Sequence, residues 1–351
     1  MSNMKKILGT KFVKDALKNA TIDPYKVKAT DKHSKPREPY DPLKHGISQT
    51  FLGTLLTCKE KARIRYWDGE VLASTKTSFF EGSVYHNLLE KVYRAIKAGE
   101  VTNPAEAFTF VDQEIKTVEK LAVSSGRHTQ LDLLQETLDM ASVLIPAYFV
   151  NYHKDFGLEW VYVEDEFSFP VTIDSKTVVQ IKGKYDGGFN TKQGFWVFES
   201  KFLARWNPDI ANYLPLDLQT CTYTGAAHFA KHNLLGCRYN IIRKPQLKRK
   251  QTEGRKDFIQ RVREDILERP GFYFERHDVQ FSKAECDANI RRITHLAKEA
   301  VNWWRTADHK TRDLGFNSGA CENKYGTCEY LPICSQNDHS KFVRSGGLRH
   351  P

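Results

Sequence analysis

Three residues near the middle of the chain have side chains suited to metal-dependent chemistry on phosphate. The segment GFWVFESKF places Glu199 and Lys201 two residues apart at the end of an aromatic run. Side chains alternate between faces along a strand, so both charges are expected on the same face. Asp186 ends the preceding β-rich segment, and the turn sequence NTKQG separates the two segments. If the strands pair across this turn, Asp186 and Glu199 converge at one end of a sheet.

Carboxylates are the ligands that Mg²⁺ and Mn²⁺ prefer in proteins. Such an ion acidifies its water and neutralises the charge that develops on phosphorus. A lysine beside it can orient that water or stabilise the transition state. The pattern D…E-x-K is short, however, and for the motif alone an ion pair at the end of a strand is the simpler interpretation.

Two further motifs lie on predicted helices. Gln219 and Tyr223 are four residues apart, so they share a helix face that can support the lysine or contact a phosphate. His86 lies on the helix before the sheet, where a neutral imidazole can bind a metal or accept a proton. Taken singly, an exposed glutamine and a structural histidine are the simpler interpretations.

The C-terminal tail contains a further candidate motif. It reads CENKYGTCEYLPIC, in which Cys321, Cys328 and Cys334 have the spacing C-x6-C-x5-C. An odd number of cysteines without a signal peptide predicts a reducing compartment, with thiols free or bound to metal. The spacing lacks the CxxC pairs of a zinc ribbon, but four thiolates also hold an iron–sulfur cluster, and Cys58 is the candidate fourth ligand. Three reduced structural thiols are the alternative. The other cysteines are predicted to be inert buried thiols: Cys221, Cys237 and Cys286.

The composition indicates a folded, basic protein. Of the 351 residues, 40% are hydrophobic and 12% are aromatic, as in globular domains. The net charge of +10 favours a polyanionic partner, most simply nucleic acid. No apolar stretch approaches the ~20 residues that span a bilayer, and we find no secretory signal, which predicts a cytoplasmic protein. The basic segment RKPQLKRKQTEGRK, continuing to Arg261 and Arg263, is a candidate phosphate contact or, equally, a solvated loop.

The elements that must position these residues follow from hydrophobic periodicity. Three consecutive strands, VYVEDEFSFPVTI, TVVQIKGKYDGGF and QGFWVFESKFL, are predicted to form an antiparallel meander, and CRYNIIRK a further strand. This succession predicts a mixed α/β core. The predicted helices are a long one from Ser48 to Trp67, then 81–98, several over 104–153, 215–233, 255–268 and 282–306.

In this order the motifs resemble those of the RecB-like nucleases of the PD-(D/E)xK superfamily. The closest resemblance is to the iron–sulfur branch, which includes AddB and the nucleases of CRISPR adaptation. The resemblance covers about residues 48–335. It implies a restriction-endonuclease-like mixed central sheet flanked by helices, with the N- and C-terminal segments joined at a cysteine cluster. The expected organisation is a polar arm (1–45), a nuclease domain (46–335) with a helical insertion at about 82–155, and a flexible tail (336–351).

The resemblance also implies a role for each motif. One or two Mg²⁺ or Mn²⁺ ions would be held by the side chains of His86, Asp186 and Glu199 and by the main-chain carbonyl of Ser200. Lys201 would be the catalytic lysine. Gln219 and Tyr223 would form the accessory motif. A structural [4Fe–4S] cluster, or a zinc ion as the alternative, would be bound by four cysteines: Cys58, Cys321, Cys328 and Cys334.

The activity that follows is hydrolysis of DNA phosphodiester bonds, with exonuclease action favoured over site-specific cleavage. The expected substrate is DNA that is single-stranded or has free ends, and the expected partner is a helicase or recombination protein in a bacterial or phage-infected cell. Two alternatives stay open: a catalytically idle DNA-binding subunit of a recombination or repair complex, and an RNA-processing nuclease. The presence of Asp186, Glu199 and Lys201 together argues against the idle subunit.

Overall fold

Helices and strands alternate along the described part of the chain, which confirms the predicted mixed α/β class. Most of the predicted arm (1–39) and the end of the predicted tail (345–351) lie outside that part. Among the described residues, none of the helices is long and apolar enough to cross a membrane. The computed structural model describes residues 40–73, 77–124, 131–205, 210–307, 317–323 and 326–344.

The predicted helices after the first are present, and side-chain caps mark where several of the helices begin. At the start of α2 the Ser48 hydroxyl accepts a hydrogen bond from Phe51 N at 3.1 Å, and α11 begins with a capping box between Ser282 and Glu285. The described α-helices are α1 (Pro42–His45), α2 (Gln49–Thr57), α3 (Lys59–Ala62), α4 (Thr77–Lys97), α5 (Pro104–Ser124), α6 (Leu131–Asn151), α7 (Ile210–Tyr213), α8 (Leu218–Phe229), α9 (Arg255–Glu268), α10 (Pro270–Tyr273), α11 (Lys283–Thr306) and α12 (Leu331–Gln336).

The prediction of one continuous helix from Ser48 to Trp67 is wrong. Cys58 has extended backbone angles (φ −164°, ψ 120°), so α2 ends before it and α3 begins after it. A π-helical turn, Arg63–Trp67, then completes the segment. The chain therefore changes direction at Cys58, a predicted thiolate ligand. Helical periodicity alone does not reveal this interruption.

Two main sheets organise eight of the described strands, and the other four form two short antiparallel pairs, β2 with β12 and β10 with β11. The larger has the order β3-β6-β7-β8-β9, in which β7 and β8 are parallel and the other pairs are antiparallel. The smaller has the order β1-β5-β4. The described strands are β1 (Ile47–Ser48), β2 (Glu70–Leu72), β3 (Glu159–Val163), β4 (Glu166–Asp174), β5 (Thr177–Lys184), β6 (Gly187–Asn190), β7 (Phe195–Leu203), β8 (Leu234–Arg243), β9 (Phe274–Gln280), β10 (Glu322–Asn323), β11 (Gly326–Thr327) and β12 (Phe342–Arg344).

The antiparallel pairing of the predicted meander is confirmed, since β4 pairs with β5, β3 with β6, and β6 with β7. The prediction of unbroken strands is wrong, because the first two predicted strands each break and change sheets. The first breaks after Val163, and the second breaks around Asp186. Two main-chain hydrogen bonds join these corners: Glu164 N donates to Asp186 O at 3.1 Å, and Tyr185 N donates to Asp165 O at 3.0 Å. The two sheets therefore separate at a point where several acidic residues meet.

Strand β7 is buried on both faces, and its alternation divides the core in two. Trp196 and Phe198 pack with α4, α5 and α6, whereas Phe195 and Val197 pack with α2, α8 and α11. Each large side chain buried in this way contributes about 1.5–3 kcal/mol. The charged end of β7 is therefore held between two packed layers and does not fray.

The C-terminal segment packs against the first helices. The Tyr330 hydroxyl donates to Glu70 O at 3.0 Å, and β12 pairs antiparallel with β2. A small apolar cluster of Ile64, Tyr330 and Ile333 lies beneath, with Cys328 and Cys334 packed against it. The two ends of the described chain are thus joined in the region of the tail cysteines.

Candidate active site

Glu199 and Lys201 belong to a closed ring of hydrogen bonds between β7 and α8. The Lys201 ammonium donates to Glu199 and to Gln219 Oε1, the latter at 2.8 Å. Gln219 Nε2 donates to the Tyr223 hydroxyl at 2.6 Å, and that hydroxyl donates to Glu199 Oε2 at 2.5 Å. Each of the four side chains orients the next, so the Q-x-x-x-Y motif holds both the lysine and the glutamate in place.

Local sequence explains why this ring forms. Alternation along β7 directs Glu199 and Lys201 toward the face that packs against α8. Asp217 caps α8 by accepting a hydrogen bond from Gln219 N at 3.0 Å, so the helix begins beside the lysine. The spacing of four residues then aligns Gln219 with Tyr223 on one side of the helix.

Asp186 lies at the corner between β5 and β6, beside the end of β7. Its Oδ2 accepts a hydrogen bond from the main-chain amide of Ser200 at 2.8 Å. His86 of α4 lies nearby, with Nδ1 3.8 Å from the same oxygen. Because β6 pairs antiparallel with β7, Asp186 and Glu199 are brought to the same end of the sheet, as expected from the turn between them.

Glu164 is a functional candidate that the sequence motifs did not identify. One ligand atom from each of His86, Glu164 and Asp186 lies within 4.8 Å of the others. The backbone of Glu164 has a φ of 54°, which is uncommon for a residue other than glycine, and its carboxylate pairs with Lys184. The acidic run EDE (164–166) at the end of β3 is the sequence signal that could have marked this position.

Burial raises the pKa of all three carboxyl groups at this point. It is the largest cause for Asp186, Glu199 and Glu164, and the pKa of Glu164 is raised to about 8. The charge of Asp186 adds to the rise for the two glutamates. Acids whose charged forms are this unfavourable are typical of functional sites, and a divalent cation would relieve the repulsion between them.

His86 and Lys201 have complementary protonation states. Burial lowers the pKa of His86 to about 4, so the imidazole is neutral at pH 7, which is the form that binds metals. Burial alone would lower the pKa of Lys201, but the charges of Glu199 and Asp186 outweigh it and raise that pKa above its usual value. At neutral pH the lysine is therefore a cation and a hydrogen-bond donor.

The donor set fits a hard divalent cation, since carboxylate oxygens and one neutral imidazole suit Mg²⁺ or Mn²⁺. The expected ligands are divided between two positions. His86 and Asp186 lie together with Glu164, whereas Glu199 takes part in the ring with α8. Ser200 lies between the two positions, with its amide on Asp186.

The four cysteines expected to hold a cluster lie where the C-terminal segment meets α3. Burial first, and then nearby charges that include the other three thiols, raise the pKa of Cys334 to about 11. Burial and the charges of Cys328 and Cys58 likewise raise the pKa of Cys321. Among the described residues, no three cysteine sulfurs lie within 4.8 Å of one another. Of the remaining thiols, two are buried as predicted and one is half-buried: Cys221, Cys237 and Cys286, respectively.

The basic segment leaves the sheet at the same end as the acidic residues. It follows β8, which runs parallel to β7, and Lys244 N donates to Leu203 O at 2.9 Å. Parts of the segment are already paired, since Lys244 bonds Glu81 at 3.0 Å and both Arg255 and Arg261 pair with carboxylates. The exposed basic side chains of the segment include a run of three, Lys248, Arg249 and Lys250.

Comparison with known proteins identifies the family. No curated protein matches the chain. The profile of the PD-(D/E)XK nuclease superfamily matches residues 46–335, a range that contains the corner at Asp186, the E-x-K strand and the ring with α8. A match over this share of the chain, together with the mixed α/β fold, shows that the chain belongs to the PD-(D/E)XK nuclease superfamily.

Proposed function

We propose that the protein is a metal-dependent deoxyribonuclease in which His86, Asp186, Glu199 and the main-chain carbonyl of Ser200 are metal ligands and Lys201 is the catalytic lysine. The observation that carries this proposal is the ring between β7 and α8. A simple ion pair at a strand end needs neither a buried glutamate, 2% exposed, nor two further side chains that orient it. Holding buried acids with raised pKa values at one point costs stability, which is typical of active sites.

The residues suggest how the reaction proceeds. When bound, Mg²⁺ or Mn²⁺ would acidify water and neutralise negative charge on the phosphate. Lys201 stays protonated, so it would donate hydrogen bonds to the attacking water or to a phosphate oxygen and not accept a proton. Glu199 Oε1 accepts from Lys201 and Oε2 accepts from Tyr223, and each oxygen retains a further lone pair for a cation.

DNA binding would rest on Lys248, Arg249 and Lys250. These side chains are exposed and follow the end of the sheet that carries Lys201, so they would contact phosphates near the scissile bond. Contacts of this kind give affinity without sequence preference. Exonuclease action and a helicase or recombination partner rest on the resemblance of the motifs to RecB-like nucleases.

A structural [4Fe–4S] cluster is proposed for Cys58, Cys321, Cys328 and Cys334. Two observations support it. The segment that carries the tail cysteines packs on the segment that follows Cys58, and Cys58, Cys321 and Cys328 are close enough to Cys334 to raise the pKa of its thiol. Metal bound between both chain ends would contribute directly to folding free energy.

The test is digestion of end-labelled single- and double-stranded DNA with Mg²⁺, Mn²⁺ or EDTA. We expect cleavage with either ion and none in EDTA. Glu199→Gln should lower the rate by at least about 100-fold, the magnitude typical of removing a catalytic electrostatic group. Glu166→Gln is the matched control, because Glu166 is exposed on β4, and it should cleave normally.

The same experiment separates the alternatives. Mononucleotides released from the labelled end indicate an exonuclease, whereas internal fragments indicate an endonuclease. Cleavage of RNA in place of DNA would favour the RNA-processing enzyme. Binding without cleavage under every metal condition would favour the idle subunit. If Glu199→Gln cleaves at nearly the wild-type rate, the proposed site is wrong.

A further inference from the structure

A buried polar side chain touches the active site from the face of the sheet opposite to the ring. Asn240 of β8 is fully buried and lies opposite Ser200 in the parallel register of β7 and β8. Its Nδ2 donates to Ser200 Oγ at 3.2 Å. The main-chain amide of Ser200 in turn donates to Asp186. One buried amide thus reaches a proposed metal ligand through a single residue.

The other end of Asn240 is held by a buried ion pair. Arg276 of β9 lies opposite Asn240 in the antiparallel register, and its Nε donates to Asn240 Oδ1 at 3.1 Å. The Arg276 Nη1 donates to Asp155 Oδ1 at 2.7 Å, and Asp155 is 1% exposed. Tyr148 accepts a further hydrogen bond from Arg276 Nη2 at 2.7 Å. The chain of contacts therefore begins in the hydrophobic core.

The chemistry of the donors sets the orientation of the amide. A guanidinium can donate but never accept, so the oxygen of Asn240 must face Arg276 and its NH₂ must face Ser200. The Ser200 hydroxyl is consequently an acceptor in this bond. An apolar residue at position 240 would complete the core equally well, yet it would leave Arg276 and Ser200 each without one partner.

We propose that Asn240, itself oriented by Arg276 and Asp155, is a positioning residue for the metal site. By holding the side chain of Ser200, it sets the main chain whose amide orients Asp186 and whose carbonyl is a proposed ligand. This inference rests on the proposed metal site. Outer-shell hydrogen bonds that orient metal ligands typically account for 10- to 100-fold in metal affinity or activity.

The test measures Mn²⁺ binding directly, by electron paramagnetic resonance of free Mn²⁺ in the absence of DNA. Asn240→Leu should weaken the Asp186-dependent Mn²⁺ site by about 10- to 100-fold. Ser200→Ala, which keeps the main chain and removes only the hydroxyl, should weaken it to a similar extent. Because both variants break the same contact, the double variant should bind Mn²⁺ no more weakly than the weaker single variant.

Controls separate positioning from general loss of stability. Asn289→Leu also removes a buried amide, but Asn289 bonds Cys221 and Thr224 and not Ser200, so its Mn²⁺ affinity should equal that of the wild type even if its melting temperature falls. Wild-type Mn²⁺ affinity in both Asn240→Leu and Ser200→Ala would overturn the inference. Should Asn240→Leu fail to fold, Ser200→Ala decides alone.

The failure of this inference differs from the failure of the proposed function. If the wild-type protein shows no Mn²⁺ binding that Asp186→Asn abolishes, the proposed metal site and the positioning role both fall. If it binds Mn²⁺ and cleaves DNA while Ser200→Ala and Asn240→Leu bind Mn²⁺ normally, the metal site stands and only the positioning role falls.

Discussion

Replacing Glu164 by glutamine should stabilise the metal-free protein at pH 8. In the folded chain Glu164 is buried beside Asp186, and its pKa is raised from 4.5 to about 8. The rise corresponds, at about 1.4 kcal/mol for each tenfold change in proton affinity, to an upper limit of about 5 kcal/mol. The ion pair with Lys184 lowers the pKa of Glu164, so its stabilising effect is already included in the value of about 8.

The sign follows from linkage between protonation and folding. The folded state holds the proton of Glu164 more tightly than the unfolded state does, so this stability is fully present below pH 4.5 and is lost as the pH rises to about 8. The free energy of unfolding of the wild type should therefore fall over this range. Glutamine does not titrate, and the variant should lack that part of the fall.

The assay is urea unfolding in EDTA at pH 5 and pH 8, with wild type, Glu164→Gln and the exposed control Glu166→Gln. We expect Glu164→Gln to lose less stability than the wild type between the two pH values and the control to follow the wild type. Mn²⁺ at pH 8 should stabilise the wild type more than Glu164→Gln, since the ion would offset the negative charge of the Glu164 carboxylate, which the variant lacks. Equal losses in wild type and Glu164→Gln would refute the assigned environment of Glu164.

Three further outcomes test other parts of the molecule. Tyr223→Phe removes a hydrogen bond to the buried Glu199, worth about 1.5–3 kcal/mol for a charged acceptor, so cleavage should slow by about 10- to 100-fold while the Kd for DNA stays unchanged; a normal rate would mean that the ring does not orient the glutamate. Protein purified without oxygen should contain iron, and Cys328→Ser should lose it and melt at a lower temperature, whereas Cys286→Ser should do neither; one zinc and no iron per chain would keep a metal staple but exclude the cluster. Alanine at the exposed run of Lys248, Arg249 and Lys250 should weaken DNA binding and reduce the log–log salt slope by about 0.7–0.9 for each lost contact. An unchanged slope would mean that the segment is a solvated loop.

Features that depend on neighbouring residues were predictable from the sequence. The cap at Ser48 and the helix over 255–268 follow from local chemistry, and the structure has both. Alternation along β7 placed Glu199 and Lys201 on a common face, and four-residue spacing did the same for Gln219 and Tyr223. These relations hold within one strand or one helix, so short-range geometry is enough to determine them.

Features that depend on which distant segments meet were decided by the tertiary structure. Apolar residues resume within a few positions of the corners at Glu164 and Asp186, so a pattern-based prediction joins the flanking segments into unbroken strands where the chain changes sheets. The same corners bring Glu164 to the site, although it belongs to no motif. Asn240 contacts Ser200 only because β7 and β8 pair in a particular register. The two strands are neighbours in the sheet, but α7 and α8 lie between them along the chain. Such contacts are set by packing and strand pairing over long stretches of chain, and no local pattern encodes them.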